Sequence, residues 1–322
     1  MNSLASQLTN VNTVAIIGHV RPDGDCIGSC MASYNYIDTY YKNIEVDVYL
    51  EPIPSIFQFL KNTDKIVSSF EQDKDYDLCI IQDCGSLDRI GDAVKYFKSA
   101  KSTICIDHHI SNASFADINH IYPDISSTSE LIFGLVGEEN LTKEIAECIY
   151  VGMVHDTGVF QYSSTTSKTM NIAGKLMDTG IDFTKIIDNT FYKKTYAQNQ
   201  MLGHVLVGSK LYLNNRCIIG EADADTMEAL HILPKHLDGI VNQLRVTKGA
   251  EVAVFIYQTM EQGEQGYKIS MRSNGIVDVA SIALKFGGGG HKLAAGATIS
   301  DSKENIIPAV CREIEIQLDG AL

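Results

Sequence analysis

Aspartate and histidine recur in this chain where a loop leaves a short apolar run, and that pairing of residue type with position is the first hint of chemistry. The run from Thr13 leads into His19-Val-Arg-Pro-Asp23-Gly-Asp25, an H-x-x-x-D-x-D pattern on a loop that Pro22 and Gly24 oblige to turn. A second run ends in Asp83, a third in Asp107-His108-His109, and a later helical pattern is followed by Asp156. Asp23, Asp25, Asp83, Asp107 and Asp156 gathered in one cleft would repel one another, and a shared site would push several carboxyl pKa values up. Divalent cations remove that conflict. Two imidazoles and four carboxylates, one of them able to bridge, make a mix of N and O donors suited to Mn2+ and less so to a closed structural zinc site. Two such ions held about 3.5–4 Å apart lower the pKa of a bridging water and clamp the oxygens of an in-line phosphoryl displacement. The expected reaction is phosphoester hydrolysis.

The elements that must position these groups read as α/β. Apolar runs at 13–18, 45–50, 77–82 and 103–106 have the length and the Val, Ile and Leu content of buried strands. Amphipathic stretches lie between them: Ile27, Met31, Tyr34 and Tyr41 recur at helical spacing, and shorter helices are expected at 55–61, 129–138 and 142–154, the last with Thr142 as N-cap. Alternation of this kind predicts a parallel sheet, and the acidic groups then fall at the carboxyl ends of its strands, the rim where open α/β sheets place their sites. Asp156 falls just beyond the 142–154 helix.

From 167 to about 211 the pattern is helical, and 195–207 reads as a connector. The expected division is a catalytic domain at 1–192, a helical linker at 193–213 and a smaller mixed α/β domain at 214–322, with strands at 217–221, 251–257, 267–271 and 297–299 and helices near 223–230 and 277–286. In that second domain Arg272 and Ser273 follow a strand, and the glycine run 287–290 precedes His291 and Lys292. Consecutive glycine N–H groups can turn inward around an anion, so Arg272, Ser273, Gly288, Gly289, Gly290 and His291 are candidate phosphate contacts. Arg89 suits either a neighbouring carboxylate or a substrate phosphate. Cys84 next to Asp83 is not expected to be a nucleophile, because nothing in the motif marks it as a lowered-pKa thiolate.

The motifs HVRPDGD, IIQDCGSLDRIGD, IDHHISN and GMVHDTGVF, with SMRS and GGGGHKLAAG downstream, resemble the DHH phosphoesterases that carry a C-terminal DHH-associated domain of the first type. Within that family the likeness is to the NrnA-type branch, whose members degrade very short RNAs and dephosphorylate adenosine 3′,5′-bisphosphate. The resemblance implies that His19, Asp23 and Asp83 hold one Mn2+, that Asp25, Asp83, His108 and Asp156 hold the other, and that Asp83 bridges. It also implies that His109 approaches the scissile phosphate, that Asp107 orients His108, and that the second domain grips the rest of the substrate across an interdomain cleft. A signalling phosphodiesterase acting on cyclic di-AMP or pApA would share every metal ligand; a RecJ-like single-strand exonuclease and a DHH-superfamily pyrophosphatase are further alternatives.

Composition sets the outer limits. Of 322 residues 45% are hydrophobic and 20% charged, ordinary globular usage, and the length suits two domains. A formal charge of -14 repels the backbone of long duplex DNA, which leaves a short RNA or nucleotide phosphoester as the expected substrate. No run reaches the ~20 apolar residues that cross a bilayer, and the opening MNSLASQLTN does not read as a secretory signal, so a cytoplasmic protein without a membrane partner is expected. Eight cysteines without a CxxC pair read as reduced core thiols, and the resemblance allows a homodimer.

Overall fold

Strand β1 (Thr13–Ile17) is buried on both faces, and the first unit of the molecule is built around it. The computed structural model describes residues 3–261 and 264–320 and divides the chain into two units, Met1–Lys193 and Lys194–Leu322. In the first unit β1 is flanked by β2 (Glu45–Tyr49) and β4 (Leu78–Gln82), with β3 (Ile66–Val67), β5 (Ser102–Asp107) and β6 (Ile118–Ile121) outside them in the order β3-β2-β1-β4-β5-β6. Every pairing is parallel. Alternate residues feed two separate cores: Val14, Ile16, Leu78, Ile80, Ile104 and Ile106 enter one, Ala15, Ile17, Cys79, Ile81 and Cys105 the other. This period-2 division explains why the strands read as unbroken apolar runs.

The first core is closed by helices α2 (Gly24–Tyr40), α4 (Thr128–Val136) and α5 (Lys143–Asp156), with α1 (Leu4–Gln7), α6 (Ser167–Asp178) and α7 (Phe183–Ile187) around them; α3 (Val94–Ser99) covers the opposite face. Helix α2 is buried from Gly24 to Ile37, and its contact with α5 is made at small residues. A Cβ at Gly28 would lie 2.5 Å from the Cys148 carbonyl, one at Gly24 2.3 Å from Cγ of His155, and one at Gly152 only 1.9 Å from Ser129 Oγ and 2.5 Å from Asp25 Oδ1. The backbones approach because these side chains are missing.

The four strands expected in this half are present, joined by β3 and β6. A two-residue strand and one interrupted by Asn119 and His120 carry too little pattern to be seen in advance. The helix expected at 55–61 is a single 3-10 turn, Ser55–Phe57, entered from Pro54. Asp156 is the last residue of α5 and not a loop residue beyond it.

The second unit holds β7 (Lys210–Tyr212), β8 (Cys217–Ala222), β9 (Val252–Glu261), β10 (Glu264–Ser273), β11 (Gly289–His291) and β12 (Ala294–Ile299) in a mixed sheet ordered β11-β12-β10-β9-β8-β7, with only β8 and β9 parallel. Val252, Val254 and Ile256 face α11 (Val279–Lys285) and α12 (Lys303–Asp319); Ala253, Phe255 and Tyr257 face α8 (Tyr196–Gly208), α9 (Ala224–Ala229) and α10 (Ile240–Arg245). The segment 193–213, read above as a linker, is therefore mostly part of this unit: Met201 and Val205 of α8 are fully buried in its core, and 210–212 is an edge strand. A weakly amphipathic helix looks like a connector until the sheet it covers is known. All eight cysteines are buried and unpaired, and no helix among the described residues is long and apolar enough to cross a membrane.

Replacing Gly152 by Val is expected to destabilise the protein by about 1–3 kcal/mol or more, through overpacking between α5, α4 and Asp25. Gly134→Ala is the control, since a Cβ there meets nothing within 4 Å, and it is expected to stabilise α4 by roughly 0.5–1 kcal/mol. Thermal unfolding of the two variants checks both signs.

Candidate metal centre

Strand order reverses between β1 and β4, and the crevice at such a switch point opens at the carboxyl ends of the strands. His19 lies two residues beyond β1, Asp83 directly follows β4, and Asp107 is the final residue of β5. Helix α2 starts on the same rim: Asp23 is its N-cap, Oδ1 accepting from the N–H groups of Asp25 and Cys26 at 3.1 Å each, and Asp25 sits in its first turn. Helix α5 runs the other way and ends at Asp156.

These side chains meet. His19 Nε2 lies 3.6 Å from Asp83 Oδ2 and 3.8 Å from Asp23 Oδ2. His108 Nε2 lies 3.0 Å from Asp156 Oδ2, 3.6 Å from Asp83 Oδ1 and 4.0 Å from Asp25 Oδ2. The two oxygens of Asp83 thus face two different histidines. Asp83 is held there with its backbone in the left-handed region, φ +56°, while its N–H donates to the Ile106 carbonyl at 3.0 Å. Three groups of potential ligand atoms, each mutually within 4.8 Å, cover the cluster: His19 with Cys26 and Asp83; Asp83 with His108 and His109; Asp25 with His108 and Asp156.

The electrostatics are those of a site with too many acids. Burial, reinforced by the Asp83 and Asp156 charges, drives the Asp25 carboxyl well above the usual range, although Thr128 N–H at 2.7 Å and Ser129 N–H at 2.9 Å both donate to it from the first turn of α4. Asp156 is also raised, by burial and by Asp83 and Asp23, more than its bond to His108 lowers it. Burial disfavours charge on His108, but Asp156, Asp25 and Asp83 outweigh it and push the ring up to about 10. Burial acts first on both groups, raising Asp156 and opposing charge on His108, and the neighbouring carboxylates then push both upward. His19 is likewise raised against the cost of burial by Asp23 and Asp83, and Asp23 is held down to about 2 by His19 despite its own burial. The protein's own groups leave this charge uncompensated, and bound cations would complete it.

Asp107 corrects one expectation. Its Oδ1 bonds Nδ1 of His109 at 2.7 Å and accepts the backbone N–H of His108 at 2.9 Å, while Oδ2 accepts from Asn112 Nδ2 at 2.7 Å. It orients His109, not the His108 ring, whose Nδ1 lies instead 3.4 Å from the Ile125 carbonyl. Residues two apart lean to one side of an extended segment, and neighbours do not. The Asp107 bond raises the pKa of His109.

Arg89 is exposed, with a guanidinium nitrogen 3.2 Å from His19 Nδ1. That same Nδ1 is 2.8 Å from the Val20 carbonyl, so when Nε2 serves as a ligand the Nδ1 proton goes to Val20, and Arg89 is a neighbour and not a bonded partner. Cys84 is buried, which raises its thiol to about 12 and argues against a nucleophile. His155 packs against Phe57 and Phe191 with Nε2 3.0 Å from Thr190 Oγ1.

In the second unit, Ala294 is the register partner of both Arg272 and His291, so the three form one row across β10, β12 and β11. Arg272 Nε donates to Asn242 Oδ1 at 3.1 Å and Ser273 is buried. The glycines serve sterics first: a Cβ at Gly288 would stand 2.1 Å from the Gly296 carbonyl, and one at Gly290, φ +144°, 2.5 Å from the Ala294 carbonyl, while nothing lies near Gly289. The Gly288 N–H donates to the Ala283 carbonyl at 2.8 Å, so it caps α11 and does not point at an anion.

Sequence reasoning missed Cys26, Asn112, Thr128 and Ser129. Only the last two had a signal, the Ser127-to-Glu130 capping pattern that places a helix N-terminus at 128, where Ser127 accepts from the Glu130 N–H at 3.0 Å.

Residues 13–153 match the DHH family N-terminal domain and residues 228–316 the DHHA1 domain. The chain carries a DHH domain and a DHHA1 domain. It is a phosphoesterase, a class that works with metal ions, and the acidic and imidazole groups just described are its candidate ligands. It is 27% identical over 310 residues to the bifunctional oligoribonuclease and PAP phosphatase NrnA of Thermus thermophilus, covering 94% of this chain and 90% of that one. The protein of the same name from Bacillus subtilis is 28% identical over 314 residues, covering 94% and 96%. The crystal structure of an exopolyphosphatase-related protein from Bacteroides fragilis superposes with a TM-score of 0.89 at 26% identity, covering 98% of this DHH chain and 96% of the other.

Asp107→Asn removes the charge that holds the proton on His109, so the pKa of that ring is expected to fall toward the ordinary imidazole value near 6.5. Proton NMR titration of the metal-free protein reads it directly; an unmoved His109 resonance would contradict the assigned pairing.

Proposed function

We propose that the first unit holds two divalent cations, Mn2+ being the ion its N and O donors suit, and that the chain hydrolyses very short oligoribonucleotides and adenosine 3′,5′-bisphosphate. His19, Asp23 and Asp83 would hold one ion; Asp25, Asp83, His108 and Asp156 the other. The observation that carries this reading is Asp83, whose Oδ2 is 3.6 Å from His19 Nε2 and whose Oδ1 is 3.6 Å from His108 Nε2, a carboxylate placed to serve two sites at once. A pair of cations bound there would supply an acidified water and shield the phosphoryl oxygens.

The chain's own residues do the rest. His109 is protonated more readily than an ordinary imidazole because Asp107 holds its Nδ1, which leaves Nε2 as the nitrogen to donate a proton or hydrogen bond to a phosphoryl or leaving oxygen. Asp107 in turn is fixed by Asn112, so the imidazole has one orientation. Arg89 beside His19 adds an exposed guanidinium suited to a phosphate. On the second unit, the row of Arg272, Ala294 and His291 sets two donor side chains either side of a residue too small to obstruct a ligand, and we read it, with Ser273 and the backbone of Gly289 and Gly290 but not of Gly288, as a surface for a substrate phosphate.

The substrate class rests on the two NrnA relatives, each matched over 94% of this chain, and on the charge of -14, which favours a few nucleotides over a long polyanion.

Asp156→Asn and His108→Ala are each expected to keep the fold, lose one of two Mn2+ per chain and lower kcat by about 100-fold or more, about 2.7 kcal/mol of barrier. Metal analysis with a steady-state assay decides; full Mn2+-dependent turnover in both variants would refute the assignment. Arg272→Ala is expected to raise KM while metal uptake is unchanged. Rates on RNAs of graded length should fall steeply beyond a handful of nucleotides, and equal rates on dimers and long strands would favour a RecJ-like exonuclease instead.

A further inference from the structure

Thr128, the first residue of α4, is completely buried and touches two carboxylates of the cluster, one of them the shared Asp83. Its N–H donates to Asp25 Oδ2 at 2.7 Å and its hydroxyl to Asp83 Oδ1 at 3.0 Å. The main chain of Asp83 stands in the left-handed region with its N–H bonded to Ile106, which leaves the side-chain torsions as the softer way for the carboxylate to move. The surrounding charge gives those torsions a reason to move. Oδ1 is turned toward the side of the cluster that holds Asp25 and Asp156, with the His108 and His109 rings 3.6 and 3.8 Å away, and the Thr128 hydroxyl is the group in hydrogen-bond contact that holds it there against the like charges.

We propose that Thr128 is a positioning residue for the bridging carboxylate, its hydroxyl holding Asp83 so that Oδ1 stays on the His108 side while Oδ2 stays on the His19 side. The inference rests on the two-cation reading and goes beyond it by naming the group that makes bridging possible. The loss of the hydroxyl is then felt as a loss of communication between the two ions. Removal of a group that orients a ligand in this way typically costs 10- to 100-fold in metal affinity.

The test is Mn2+ titration of the full-length protein followed by electron paramagnetic resonance, on wild type, Thr128→Val and Thr128→Ser, with circular dichroism to confirm the fold. Wild type at two Mn2+ per chain is expected to show the spectrum of a spin-coupled pair. Thr128→Val, close to the same shape without the hydroxyl, is expected to bind the second ion 10- to 100-fold more weakly and to lose the coupling at equal loading, while Thr128→Ser restores both. A folded Thr128→Val that matches wild type overturns the proposal. So does a Thr128→Ser chain without coupling, which would make the methyl and not the hydroxyl the important group, and this comparison stands even where the valine variant does not fold. A wild-type chain with no coupled signal overturns the two-cation reading beneath it, a failure distinct from the other two.

Discussion

Mutual repulsion among buried carboxylates is the constraint that organises the first unit. Asp25 from α2, Asp83 just past β4 and Asp156 from α5 come together from separate parts of the unit, and each would be better hydrated apart. What holds them together is a set of fixed donors: the N–H groups at the start of α4 on Asp25, the start of α2 on Asp23, and the Thr128 hydroxyl on Asp83. Two helices thus aim the positive ends of their dipoles at one rim of a parallel sheet. The arrangement lowers the cost of assembling the acids without cancelling their charge, and the remainder is what makes the site attractive to cations.

The helix contact behind this rim is equally specific. α2 contributes its start and α5 its end, so the distance between Asp25 and Asp156 depends on how closely two antiparallel backbones can lie. Gly24, Gly28 and Gly152 set that distance, and at Gly152 the space a side chain would take is occupied by Ser129 Oγ and by Asp25 itself. Core packing and ligand geometry are therefore one problem in this unit, solved by leaving out carbon atoms.

Much of this could be read from the residues alone, and the reasons are physical. Strands β1, β4 and β5 are apolar along most of their length because both their faces are buried, and the acids stand out at their ends because a buried strand has no other place for them. The orientation of Asp107 was missed because neighbours in sequence suggest a partnership that alternating side-chain direction forbids. The donors of Asp25 and Asp83 were missed because Thr128 lies 103 and 45 residues away from them, a distance over which no local pattern speaks. In the second unit the glycine run suggested an anion nest, whereas close passage of β11 over β12 already requires Gly288 and Gly290. The placement of α8 was opaque for a similar reason, since its buried residues match a sheet that begins only after it ends.

The left-handed backbone at Asp83 narrows which amino acids that position can accept. Glutamate offers the same functional group on a longer arm, yet a main chain at φ +56° is entered at least cost by glycine, asparagine and aspartate. Of those, a single one is an anion. The identity of the residue is thus favoured twice, by coordination chemistry and by torsional geometry, and a drift to its homologue carries a backbone cost before any ion arrives.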